Sequence, residues 1–216
     1  MVKLLMFDFD GTLVDTGPDI VLAMNDFLQS KGRPALPEKT VLQFVGPGLA
    51  GLMDSIYPEA AKDPKLLQQA EEEFLKFYER NYLLNNPRPL RDAKEFLRSC
   101  PYKMAVVSNK RVRFIPKVLD HLGLMDLPWV SLIGGDSFEH KKPHPKPLLE
   151  AIDAAGVTPG QAVMVGDGFP DVEAAKACEV TSVAVNFGYT PVEELLAKGA
   201  KYQISNFADL LQIFPK

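Results

Sequence analysis

The sequence predicts an α/β fold: a parallel β-sheet core with helices on both faces, plus a small all-helical unit inserted after the first strand. Three observations predict it. Short apolar runs recur along the 216 residues, and they are near-continuous rather than alternating, as strands covered on both faces are. Helical patterns lie between most of them, and strand–helix alternation favours parallel pairing. Residues 16–84 break that rhythm and show no convincing strand.

The expected strands are Val2–Phe7, Met104–Val107, Trp129–Ile133, Ala162–Val165 and Thr181–Val185. One helix is marked by Val112, Pro116, Leu119 and Leu122. The next is marked by Leu148, Leu149, Ile152 and Ala155 and is stopped by Gly156. Tyr202–Leu211 is expected to add an edge strand and a helix. In the insertion, Thr16 and Asp19 resemble a capping box ahead of Ile20, Met24, Phe27 and Leu28, with Lys31-Gly32 as the stop. Asp63-Pro64 opens another helix, with Leu67, Ala70, Phe74, Phe77 and Asn81 along one face. Its Glu71-Glu72-Glu73 run reads as a solvated face. "LNNPRPL" (Leu84–Leu90) is the return linker. The expected organisation is a Rossmann-like core of residues 1–15 and 85–216, and a helical cap of residues 16–84, hinged near Val14–Gly17 and Leu84–Pro89.

Composition narrows the function. The chain is 46% hydrophobic and 24% charged, with a net charge of −4 and no basic run. Nucleic-acid binding needs a clustered cationic footprint and is not expected. Cys100 and Cys178 have no disulfide-framework or zinc spacing. The first apolar run is broken by Asp8, too short and too acidic for a signal peptide. No stretch approaches about 20 apolar residues, so no membrane helix is expected. A cytoplasmic protein, monomeric or homodimeric, is the expectation.

The polar residues fall where strands end. The first strand runs into Asp8-Phe9-Asp10, the second into Ser108-Asn109-Lys110, and the fourth into Gly166-Asp167-Gly168, with Asp171 just beyond. The third is followed by "GGDSFEHKKPHPKP", with Lys141 and Lys142. Ligands of open parallel sheets bind outside the carboxyl ends of the strands. Simpler readings exist for each residue. Asp10-Gly11 suits a turn, but a turn does not explain Asp8 at the end of an apolar strand. Ser108 or Asn109 could cap the next helix, or its amides could hold an anion. A turn would suffice for Asp167, the helix dipole for Asp171, and a solvated loop for Lys142. His140 and His144 read as loop residues, and Cys178 as core.

Two aspartates at i and i+2 share one side of an extended chain and repel one another. Phosphate-ester hydrolysis accounts for that cost. It needs a nucleophile, cations against the dianion's repulsion, and a proton donor for the leaving oxygen. Mg²⁺, which takes carboxylates, waters and substrate phosphate, fits the set.

These residues carry a resemblance. "DFDGTLVDT" (Asp8–Thr16), "SNK" (Ser108–Lys110), "KKPHPKPL" (Lys141–Leu148) and "GDGFPDVEAAKA" (Gly166–Ala177) resemble, in order, the four motifs of the haloacid dehalogenase-like superfamily. The likeness is to its phosphoglycolate-phosphatase-like members with a helical cap. "NFGYT" (Asn186–Thr190) and "AKYQISNFADLL" (Ala200–Leu211) are similar to the tail of such proteins. The resemblance implies that Asp8 forms a phosphoaspartyl intermediate and Asp10 is the general acid/base. It implies that Mg²⁺ is held by Asp8, the backbone carbonyl of Asp10 and Asp167, with Asp171 in support. Ser108, Asn109 and Lys142 would bind the phosphoryl group, Ser108 and Lys142 counting with the catalytic set. One departure is Gly168, where Ser or Thr is common; altered bonding around the metal ligands is expected rather than loss of metal.

The expected substrate is a small phosphorylated metabolite, with 2-phosphoglycolate suggested by the resemblance alone. The cap stretch "FVGPGLAGLM" (Phe44–Met53) holds no lysine or arginine, so a substrate carboxylate there would need backbone amides near Gly48, or the stretch is simply a flexible turn. A phosphosugar mutase or an inorganic pyrophosphatase would share the catalytic set. A dehalogenase would not need Asp10, and a silent binding protein would not need the intact set.

Overall fold

In the computed structural model of the chain, residues 1–47, 53 and 63–215 are described. Six strands form one parallel sheet: β1 (Leu4–Phe7), β4 (Lys103–Val107), β5 (Trp129–Ile133), β6 (Ala162–Gly166), β7 (Thr181–Val185) and β8 (Tyr202–Ile204). Their spatial order is β5-β4-β1-β6-β7-β8. All five expected strands form within two residues of their expected ends, and Tyr202–Ile204 supplies the edge. β1, β4 and β6 are apolar on both faces because both are covered: every residue of β1 is fully buried.

β1 lies between β4 and β6, with Leu4 opposite Lys103 and Ala162, and Phe7 opposite Val106 and Val165. This register delivers the residues after all three strands to one edge. Asp8, Ser108 and Asp167 therefore become neighbours although they are far apart in sequence.

Among the described residues of 16–84 there are helices and no strand: α1 (Gly17–Ser30), α2 (Glu38–Leu42) and α3 (Pro64–Asn81). α1 buries Ile20, Ala23, Met24, Phe27 and Leu28, and the Phe27 ring packs edge-on against Phe74 of α3 at 5.5 Å. Asp63 caps α3 by accepting from the Lys65 amide at 3.0 Å. The buried face of α3 is Phe74, Leu75 and Tyr78; Asn81 is exposed and donates back to Phe77 O, so the face is rotated from the expected one. The insertion is entered and left through a two-residue antiparallel ribbon, β2 (Val14–Asp15) with β3 (Arg88–Pro89), which overlaps the two linkers named from the sequence.

The core helices that follow are α4 (Ala93–Ser99), α5 (Ile115–His121), α6 (Lys146–Ala155), α7 (Phe169–Ala177), α8 (Val192–Lys198) and α9 (Asp209–Ile213). Gly156 ends α6 in the left-handed region, at φ +63°. Leu149, expected on the inner face of α6, is exposed. Cys178 is buried in the core, as expected.

Two local expectations are corrected. Thr16 and Asp19 form no capping box. The Thr16 hydroxyl donates instead to Asp10 Oδ1 at 2.6 Å, and Asp19 accepts from Asn85 Nδ2 at 3.0 Å and the Asn86 amide at 2.8 Å on the return linker. The acidic run of α3 is not merely solvated. Glu71 pairs with Arg111 at 3.1 Å, Glu72 with Arg113 at 3.5 Å, and Glu73 with Lys31 at 2.8 Å. Arg113 Nε and Lys117 Nζ also reach Glu79, at 3.3 and 2.5 Å. The pairs of Glu71, Glu72 and Glu79 thus join α3 to residues 111–117 of the core, while Glu73–Lys31 joins α3 to the end of α1 within the insertion.

Candidate active site

The strand ends build two adjoining charge clusters. In the first, Asp8, Asp167 and Asp171 each offer a carboxylate oxygen, all within 4.8 Å of one another and all buried. Lys142 is 1% exposed. Its ammonium lies 3.1 Å from Asp8 Oδ1 and 2.5 Å from Asp171 Oδ1. Burial works against that ammonium, but Asp171 and Asp8 outweigh it and hold its pKa above the ordinary lysine value.

Three carboxylates against one ammonium leave negative charge out of water. Asp167 accordingly has its pKa pushed up to about 8, by burial first and then by the charges of Asp8 and Asp171. Asp171 is pushed up to about 7 by burial and Asp8, with Lys142 opposing. Buried oxygens in excess of their cations are the donor set a hard divalent ion takes, so the residues fit such an ion.

The supporting bonds explain why these side chains point where they do. Asp167 accepts from Thr12 Oγ1 at 2.8 Å and from the Tyr189 amide at 2.9 Å. Asp171 Oδ2 accepts from the Gly168 amide at 3.0 Å, so it caps α7 with one oxygen and holds Lys142 with the other. The first-turn position that suits the helix dipole thus also brings Asp171 into the carboxylate cluster. Gly166 and Gly188 permit the crowding: a Cβ on Gly166 would lie 2.2 Å from Asp171 Oδ2, and one on Gly188 2.1 Å from Asp167 Cβ.

The second cluster surrounds Asp10. Its carboxylate is not among the three described above. Lys110 Nζ donates to both its oxygens, at 2.8 and 3.1 Å, and Thr16 Oγ1 donates at 2.6 Å. Lys110 is buried, which alone would lower its pKa; Asp10, with Tyr78 beside it, more than reverses this and raises it. Lys110 was given no role by the sequence beyond its place in "SNK"; a lysine directly after a strand-end Ser-Asn was the available signal.

Ser108 is buried and its Oγ accepts from the Lys110 amide at 3.2 Å. Asn109 donates to Gly46 O at 3.0 Å and to Lys142 O at 2.9 Å, tying the cap turn to the lysine loop. Neither residue caps the following helix: that turn starts at Val112, whose amide goes to Asp136 at 2.7 Å. Gly46 shows that the start of the Phe44–Met53 stretch faces the site; residues 48–52, including the Gly48 amide considered for a carboxylate, lie outside the described residues. Lys141 reaches Pro47 O at 3.1 Å. His140 and His144 stack on each other at 4.3 Å in the exposed loop and join neither cluster.

Tyr189 was also missed. Its hydroxyl accepts from the Thr16 and Gly17 amides at 3.2 and 2.7 Å and lies 3.3 Å from Asp15 Oδ1. It fills the capping place at the start of α1 that Thr16 leaves by turning to Asp10. Burial and the nearby carboxylates of Asp10, Asp15 and Asp167 raise its pKa.

Between α3 and the loop after β4 lies a cavity of about 250 Å³. Asp10, Lys110, Arg111, Glu71, Phe74 and Tyr78 are among its walls.

The chain is similar to known proteins over nearly its whole length. The profile of the haloacid dehalogenase-like hydrolase family matches residues 5–185. A phosphoglycolate phosphatase of Psychrobacter arcticus is 31% identical, over 99% of this chain and 96% of its own. One from Pseudomonas putida is 36% identical, over 97% of this chain and 78% of its own. The crystal structure of a predicted phosphoglycolate phosphatase from Haemophilus somnus superposes with a TM-score of 0.85 at 29% identity, covering 98% of this chain and 97% of that one.

Proposed function

The chain belongs to the haloacid dehalogenase-like hydrolase family, and from that premise we propose that this phosphoric monoester hydrolase cleaves a small phosphate monoester through an aspartyl-phosphate on Asp8, with 2-phosphoglycolate the first candidate substrate. The observation that carries the reading is the buried meeting of Asp8, Asp167 and Asp171 with Lys142 at the end of the central strand. A divalent cation, Mg²⁺ by donor type, would be held by Asp8, Asp167 and the Asp10 carbonyl with Asp171 in support, and would offset the negative charge of phosphate and carboxylates.

Asp8 attacks phosphorus while Asp10 gives its proton to the departing ester oxygen. A water then attacks the phosphoaspartate, and Asp10 takes the water's proton as phosphate leaves. Lys142, 3.1 Å from Asp8 Oδ1, orients that carboxylate, and with Ser108 and the Asn109 backbone it binds the phosphoryl oxygens. The Asn109 amide group is already engaged with two carbonyls, so its side chain serves mainly to join Gly46 to the lysine loop. Lys110 and Thr16 fix the direction in which Asp10 faces. The cap formed by residues 16–84 closes over the reacting groups and excludes water.

The test is phosphate release from 2-phosphoglycolate, sugar phosphates, nucleotides and pyrophosphate, with Mg²⁺, with chelator, and with Asp8→Asn. Turnover that needs both Mg²⁺ and Asp8 supports the reading, and the best substrate separates a phosphatase from a pyrophosphatase. A folded protein that binds Mg²⁺ yet releases no phosphate from any ester refutes it, and a priming bisphosphate then tests the mutase alternative.

A further inference from the structure

Among the described residues, Tyr78 Oη and Asn109 Oδ1 are buried without a hydrogen bond of good geometry, the Tyr78 hydroxyl having only the neighbouring Lys110 ammonium, and both side chains line the 250 Å³ cavity. Buried polar groups are nearly always paired, so two such atoms in one cavity mark a place that receives a polar occupant. Tyr78 is 3% exposed. Its ring is wedged between Phe74 of the cap and Phe114 of the core, at 6.2 and 5.9 Å, and Lys110 Nζ lies 5.3 Å from its centre.

The cavity's charge indicates which occupant. Lys110, Arg111 and Lys141 line it against Asp10 and Glu71. Lys110 is taken up by Asp10. Arg111 is not saturated: one terminal nitrogen is 3.1 Å from Glu71, and the other is 3.8 Å from Asp136, too far for a good hydrogen bond. A guanidinium is a planar fork of five donors matched to a carboxylate. The cavity is smaller than a drug-sized site, and it adjoins the acid that would protonate the leaving oxygen.

We propose that Arg111 and the Tyr78 hydroxyl form a subsite for a carboxylate on the alcohol part of the substrate, and that Glu71 occupies Arg111 until that carboxylate arrives. The cation absent from the cap turn is supplied by the core, directly after the Ser108–Lys110 segment. Arg111 and Tyr78 are specificity residues: they touch the leaving group, not the transferred phosphorus. This inference rests on the phosphatase reading above for where the phosphoryl group sits.

Calorimetric binding in the Asp8→Asn chain with Mg²⁺ tests it apart from turnover. The probes are 2-phosphoglycolate and the uncharged 2-hydroxyethyl phosphate. With Arg111 present the carboxylated ester binds at least about 10-fold tighter, and Arg111→Met reduces that ratio about 10- to 100-fold, as expected for charge-assisted bonds. Tyr78→Phe reduces it about 5-fold. Glu71→Gln removes the competitor and raises the ratio; this opposite sign is one that general damage to the fold does not produce. Equal affinity for the two esters, or an equal loss for both in Arg111→Met, overturns the subsite. Failure of the parent chain to hydrolyse either ester counts against the phosphatase reading, while the affinity ratio still decides the subsite.

Discussion

Gly188→Ala gives the sharpest local test of how the carboxylate cluster is built. The added Cβ would stand 2.1 Å from Asp167 Cβ and 2.8 Å from both Cγ and Oδ2. Ordinary carbon–carbon contact lies near about 3.5–4.0 Å, so Asp167 must retreat by roughly 1.5 Å. Such a movement breaks its bonds from Thr12 Oγ1 and the Tyr189 amide. Overpacking of this kind costs about 1–3 kcal/mol, or about 2–4 °C in Tm per kcal/mol for a chain of this size. Mg²⁺ demands near-ideal ligand placement, and loss of supporting bonds typically weakens metal binding about 10–100-fold. Calorimetric titration of Mg²⁺ into the variant, with a thermal melt of the same sample, reads both effects. Gly160→Ala is the control, since a Cβ there meets nothing within 4 Å. Unchanged Mg²⁺ affinity in a Gly188→Ala protein would refute the placement of Asp167 as a metal ligand held by this crowding.

Three further outcomes follow from the same geometry. Asp167 and Asp171 have raised pKa values in the folded, metal-free chain, about 8 and about 7, so the native state holds protons that the unfolded state releases above about pH 4. The metal-free protein therefore loses stability as pH rises from about 4 to 8, and saturating Mg²⁺ flattens that slope; melts across this range that show stability constant or rising would contradict it. Lys110→Met leaves the buried Asp10 without its ammonium and should cost about 3–5 kcal/mol in chemical denaturation, with much of the loss recovered in the Lys110→Met/Asp10→Asn double variant; a loss under about 1 kcal/mol would show the pair to be well solvated. The pairs of Arg113 with Glu72 and Glu79 are partly exposed, contribute about 0.2–1 kcal/mol each and are screened by salt. Arg113→Ala or 0.5 M salt should therefore speed hydrogen exchange in α3 by a few-fold, and an unchanged rate would remove these pairs from any role in holding the cap.

The sheet was legible because β1, β4 and β6 are buried on both faces, which writes continuous apolar runs such as Leu4–Phe7 into the sequence. The convergence of the candidate site residues was legible because those runs end abruptly in acids and a Ser-Asn pair. The contacts across the fold were not. Thr16 reads as a helix cap by local chemistry, but Asp10 lies closer to its hydroxyl than any α1 amide, and Tyr189, far along the chain, takes over the cap. Glu71–Glu73 read as solvent-facing because sequence gives a helix's period but not its neighbour; Arg111 and Arg113 become that neighbour only when the cap packs on the core. Lys110 stood in the strand-end "SNK" group, but its pairing with Asp10 was not legible, because that contact joins residues 100 positions apart.

In the proposed reaction Asp8 carries the phosphoryl group. The direct measurement is an acid quench of the chain during turnover of a radiolabelled phosphate ester with Mg²⁺, followed by peptide mapping. Label is expected on the peptide bearing Asp8 and none in Asp8→Asn; with an aryl phosphate, whose leaving group needs no protonation, more label is expected in Asp10→Asn, whose intermediate lacks the base for its hydrolysis. Label on a different peptide, or turnover that continues in Asp8→Asn, would contradict it.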